Sequence, residues 1–112
     1  MKIKEKIENH VAILTLSGKM MGGPETQEVH EYIKRLISDG IKKVVIDLGG
    51  VKWMNSSGMG VLMASMTTLK NADGKLALAR VTEKVQSLLM ITQLIKVFNT
   101  FETVERAVSN IE

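Results

Sequence analysis

Apolar and polar positions alternate from Lys2 to Glu8, with Ile3, Glu5 and Ile7 on one side and Lys2, Lys4, Lys6 and Glu8 on the other. A strand-like pattern resumes from Val11 to Ser17 after Asn9-His10, so the two segments read as a β-hairpin. Lysines on the first strand suit a sheet edge, because charge there discourages pairing with other molecules. Gly18 to Gly23 reads as a turn-rich loop. Pro24 then suits the first turn of a helix, where its missing N–H would have no intrahelical partner, and Glu25 and Glu28 favour the positive helix end. Val29, Ile33, Leu36 and Ile37 make one apolar stripe, which Asp39-Gly40 brings to a stop.

Val44-Val45-Ile46-Asp47-Leu48 is β-branched and nearly unbroken in apolar character, the pattern of a strand in the middle of a sheet. Gly49-Gly50 reads as its end. After Val51 to Asn55 a helix is expected to open at Ser56 or Ser57 and run to about Asn71, where Asp73-Gly74 turns the chain. Leu76 to Val81 reads as a strand, Thr82 as the cap of a short helix through Val85, Leu88 and Leu89, and Val97-Phe98 as a last strand. Thr103 caps a terminal helix whose Val104, Ala107, Val108 and Ile111 share a face. The element order implies an α/β fold, a mixed sheet of four to five strands packed with about four helices.

Composition narrows the choice of function. The 112 residues suit one domain over 1–112, and 45% apolar with 24% charged residues matches a folded globular chain. The formal charge is only +3, with basic residues scattered among acidic ones from Lys2 to Arg106 and only Tyr32, Trp53, Phe98 and Phe101 as aromatics, which argues against nucleic acid as a direct partner. There is no cysteine, which excludes disulfides, thiolate ligands and thiol nucleophiles. No apolar run reaches the length of a membrane span, and Met1 to Glu8 lacks the pattern of a secretion signal, so a cytoplasmic protein is expected. His10 and His30 stand apart from any metal-ligand pattern, as a turn residue and a helix-surface residue. No metal or cofactor is expected, since Gly58-Met59-Gly60 lacks the third glycine of a dinucleotide fingerprint and no P-loop is present.

Candidate chemistry concentrates in the stretch from Asp47 to Leu62, which joins the buried strand to a helix through a loop ending in Asn55-Ser56-Ser57-Gly58. The first N–H groups of a helix lack intrahelical acceptors and sit at the positive end of its dipole, so a hydroxyl or an anion is favoured there. Taken alone, the serines need only be caps. A serine hydrolase reading, with Ser57 as nucleophile and a histidine as base, lacks the Gly-x-Ser-x-Gly context and a partner motif.

The stretch resembles the signature of the anti-sigma factor antagonist (STAS) family, an apolar strand and Asp-Leu followed by Val-x-aromatic-Met-Asp-Ser-Ser-Gly-Leu-Gly. Asp47-Leu48, Val51, Trp53-Met54, Ser56-Ser57-Gly58 and Gly60 occupy the corresponding places without a gap. Leu94 to Phe98, Phe101, Thr103 and Glu105-Arg106-Ala107 resemble the family's closing segment. The resemblance implies a non-enzymatic antagonist that binds an anti-sigma factor with serine kinase activity and so regulates transcription indirectly. Phosphorylation at Ser57 would release it and a serine phosphatase would restore it. The contact surface implied comprises Met20, Met21, Trp53, Asn55, Ser56, Ser57, Gly58 and Met59. Of the methionines, Met20, Met21 and Met59 are expected as adaptable surface contacts and the others as core fillers; Trp53 suits either packing or a partner anchor. Two departures stand out: Asn55 replaces the usual Asp, and Lys19 to Gly23 carries no acidic residue. The alternative keeps the fold but makes the chain a docking subunit of a stress-signalling assembly or a lipid-transport complex, with Ser57 a cap only.

Overall fold

Residues 1–111 are described by the computed structural model. The opening hairpin pairs β1 (Lys2–Glu8) with β2 (Val11–Met20) in antiparallel register, Lys4 opposite Thr15 and Lys6 opposite Ile13. Asn9 and His10 both take positive φ, 51° and 65°, as a two-residue type I′ turn requires. Helix α1 (Gly23–Ser38) follows with Pro24 in its first turn. Its stop is made by Asp39 and by Gly40 at φ 82°.

The next strand, β3 (Lys43–Met54), is 12 residues long. Gly49-Gly50 does not end it, contrary to expectation. Its pairing with β2 slips twice, Thr15–Asp47 giving way to Ser17–Gly50 and Gly18–Val51 to Lys19–Trp53, so β3 carries an extra residue at each step. Those are β-bulges, which glycine accommodates while the ladder continues. For the same reason Gly18 to Met20 is strand rather than loop.

Helix α2 (Ser56–Asn71), strand β4 (Lys75–Ala79), helix α3 (Glu83–Ile91), strand β5 (Asn99–Phe101) and helix α4 (Val104–Asn110) complete the order. The last strand lies beyond the Val97-Phe98 expected for it. Gln93 turns left-handed at φ 63°, a 3-10 turn spans Leu94–Lys96, and Phe98 is used up as a buried plug before pairing begins. Thr103 caps α4 by accepting the Arg106 N–H. Thr82 stands at the α3 cap position, but its hydroxyl donates to the Val51 carbonyl instead.

The sheet is mixed, in the order β1-β2-β3-β4-β5, with β1 antiparallel and the other neighbours parallel. From β2 onward the order advances in one direction. Crossovers of a single hand must then all return on one face, and α1, α2 and α3 do so, burying Ile33, Leu62, Leu69, Val85 and Leu89 against Leu14, Ile46 and Leu78. The other face is covered in part by α4, where Ala107 and Ile111 meet Val11, Ile13, Val45 and Ala77. A progression without reversal also leaves no crevice of the kind that forms where strand order switches direction. The loops after β2 and β3 therefore present a surface rather than a cleft, while the loop after β4 borders a shallow hollow through Arg80 and Val81.

Candidate docking site

Asn55 organises that surface. It leaves β3 in an extended conformation and caps α2, its Oδ1 accepting the Gly58 N–H at 3.0 Å. Its Nδ2 donates to the Met21 carbonyl at 2.9 Å, and its backbone N–H donates to the Met20 carbonyl at 3.3 Å. One residue thus ties the end of β2 to the start of α2. The expected caps, Ser56 and Ser57, are instead the first two residues of the helix, and the first helical bond runs from the Met59 N–H to the Asn55 carbonyl at 3.0 Å. Both serine side chains are exposed.

Two glycines make this approach possible. A Cβ at Gly58 would overlap the Met20 carbonyl oxygen, so only glycine lets the helix tip rest on the β2 end. Gly22 takes φ 99° and faces Ser57, whose Cβ would be 3.1 Å from a side chain placed there. Ser57 therefore sits between its own helix and the β2–α1 loop. The first turn of α2 contains no acidic residue, so nothing there offsets the positive end of the 16-residue helix. A phosphoryl group on Ser57 would be drawn to the free amides of that turn.

Around the tip, Met21 is 49% and Trp53 46% exposed. Lys84 of α3 holds its ammonium 3.4 Å from the centre of the Trp53 ring, a cation–π contact that orients the ring while leaving it open. Lys84 has no sequence signal, because the contact depends on where α3 returns. Farther back, Asp47 is buried, accepts the Gly49 N–H at 2.9 Å and pairs with Arg80 at 3.2 Å. Asp47, from the Asp-Leu of the signature, thus braces the bulge and the β4–α3 turn and takes no part in the surface.

Three of the expected contact residues belong elsewhere. Met20 is fully buried, Met59 is 2% exposed and Gly58 is buried beneath them. Met20 continues the inward positions Leu14 and Leu16 of β2, and Met59 joins Leu62, Met66 and Leu69 on the inner side of α2. Met21, Trp53, Asn55, Ser56 and Ser57 remain at or near the surface and are brought together by the Asn55 bonds.

The hydrolase arrangement does not form. His10 lies at the start of β2 and Ser57 beyond the end of the parallel β3, which separates them by about 30 Å for a ten-residue strand. His30 is not a plain surface residue: its Nε2 meets Thr68 Oγ1 at 2.8 Å, about 16 Å along α2 from Ser57. Burial, and secondarily Lys34, lowers the His30 pKa below its usual value, with Glu31 opposing. Among the described residues no group of three His, Cys, Asp or Glu converges as metal ligands, and no helix is long and apolar enough to cross a membrane.

The model of the STAS domain family matches residues 2–107. The chain belongs to the STAS domain family. Among curated members, this STAS chain is 23% identical to an anti-sigma F factor antagonist of Paenibacillus polymyxa, over 100% of its own length and 97% of the relative's. A Thermotoga maritima structure superposes with a TM-score of 0.86 at 22% identity, covering 97% of this chain and 93% of that one. The antagonist SpoIIAA superposes in its unphosphorylated form with a TM-score of 0.84 at 16% identity, covering 98% and 96%. It has also been solved phosphorylated, with a TM-score of 0.77. These likenesses establish the STAS fold of this chain.

Proposed function

We propose that this chain is an anti-sigma factor antagonist that docks on an anti-sigma factor through the α2 tip, Met21 and Trp53, and that phosphorylation of Ser57 by that partner's kinase activity ends the contact. The observation carrying the reading is the exposed Ser57 hydroxyl at the second position of α2, held beside Gly22 by the Asn55 bonds. A phosphoryl group adds about −1.5 to −2 charges at neutral pH. Its attraction to the helix amides opposes refolding, so the change is confined to the surface a partner meets. There it adds bulk and a charge that must be desolvated on docking. A serine phosphatase resets the surface.

The test is the intact mass, with site mapping, of the protein isolated from its own cells during growth and under stress, with and without phosphatase. A single phosphatase-sensitive phosphate on Ser57 is expected. Protein unmodified in both conditions would overturn the switch and leave a constitutive docking subunit, with Ser57 as a helix residue only.

A further inference from the structure

Lysines scattered along the sequence gather on one face in the fold. Residues opposite one another in an antiparallel pair share a face, so Lys2, Lys4 and Lys6 point the same way as Ser17, Thr15 and Ile13. Ile13 packs under α4, which identifies this as the face away from α1, α2 and α3. Lys19 and Lys52 join them, bordering one shallow hollow with Lys2. All five side chains are exposed. The carboxylates on this part of the face are already engaged, Glu8 with Lys6 at 3.0 Å and buried Asp47 with Arg80. Protection of a sheet edge accounts for lysines on β1 and for Lys19, which lies beyond the last β1 pair at Ser17, but Lys52 is on the interior strand β3 and needs another reason.

We propose that this face docks electrostatically on an anionic lipid surface. The charge is spread across three strands of an open sheet face. It is carried by lysine, a flexible point charge suited to a diffuse negative field rather than to a geometrically fixed acceptor. The middle of the patch, between β1 and β2, offers only lysine, threonine and serine; its aromatic neighbour, Trp53 opposite Lys19, lies at the end beside the α2 tip with its ring under Lys84, so the patch has no central anchor of the kind an acidic protein partner would call for. A duplex would call for an element able to enter a groove, and single strands for stacking aromatics. The face is turned away from the helix layer and meets the α2-tip surface only at Trp53, opposite Lys19, so a docked molecule keeps the Ser57 tip available to a protein partner.

The test is sedimentation of the purified chain with vesicles of phosphatidylcholine alone and of phosphatidylcholine with an equal part of phosphatidylglycerol. Binding to the anionic vesicles only, weakening as salt is raised, is expected. Lys4→Glu, Lys19→Glu and Lys52→Glu should each weaken it at least about fivefold, from about 1 kcal/mol per basic residue near the surface. Lys34→Glu, Lys70→Glu and Lys96→Glu make the same change of net charge elsewhere and should have much smaller effects; circular dichroism checks the fold of all six. No sedimentation with anionic vesicles at low salt would overturn the proposal, as would equal losses in the two sets. Binding to duplex DNA through the same lysines without vesicle binding would overturn it in favour of a nucleic acid.

Discussion

Asn55 both donates and accepts, whereas an aspartate in its place can only accept. Asn55→Asp should keep the cap on Gly58 and gain from the helix dipole, but lose the bond to the Met21 carbonyl and set two acceptors against each other. Global stability is expected to change by less than about 1 kcal/mol. Hydrogen exchange at Met21 to Gly23 should rise clearly; unchanged exchange would show that the bond does not hold the loop. Ser65 is the opposite case, fully buried in α2 with its hydroxyl unpartnered among the described residues. Ser65→Ala removes the unmet donor and should stabilise by about 1 kcal/mol, raising the melting temperature by about 4 °C. At this scale the structure gives Asn55 the cap expected of Ser56 or Ser57, and it buries two of the three methionines expected at the surface. Met20 fits the alternation of Leu14 and Leu16 once the strand is carried through Gly18, and Met59 fits the stripe of Leu62 and Leu69. Assigning a loop to Gly18–Gly23 hid the first, and the adaptability of methionine drew attention from the second.

Between elements, the His30–Thr68 bond joins α1 to α2 beneath their exposed surfaces. Because the folded-state pKa of His30 is lowered, mainly by burial, the unfolded chain binds the proton more readily. The stability that neutral His30 contributes is therefore present above the unfolded value near 6.5 and lost as pH falls through the lower folded value. Urea denaturation should show stability falling from pH 7 towards pH 5, with a shallower fall in His30→Gln. Parallel curves would mean that carboxylates govern the slope. Periodicity gave the order of the helices and strands, but it ended β2 and β3 too early, carried β4 too far and put the last strand before its true place. A glycine pair looks like a break unless the partner strand is known, and the bulges in β3 are visible only in its register with β2. Val97 and Phe98 have strand-forming side chains, yet the left-handed Gln93 and the turn after it commit Phe98 to the core.

For the whole molecule, the two faces of the sheet are unequally covered. Three helices close one face, while the seven-residue α4 covers part of the other through Ala107 and Ile111. A charge placed beneath α4 should therefore release that helix before the larger core is disturbed. Ala107→Glu is expected to make the chain around Thr103 sensitive to limited proteolysis, while the amides of β2, β3 and α2 keep their slow exchange. Loss of protection throughout would show instead that the two faces fold as one unit. The central place of the Val44–Leu48 strand was legible from its apolar character. The gathering of lysines was not, because it follows from strand pairing and from the side to which the helices return.

The bond from Asn55 to Met21, with Gly22 set against Ser57, has a bearing on how such surfaces can be exchanged. Each loop has local bonds, Gly22 with Thr26 and Gly58 with Asn55, but each is also held by atoms of the other and would lose that contact if transplanted alone. A chimera that takes residues 53–58 from a second protein of this fold would inherit a cap without the loop conformation that aims a carbonyl at it. Moving residues 20–23 in the same step supplies it, so the unit of inheritance for recognition is a pair of segments about thirty residues apart.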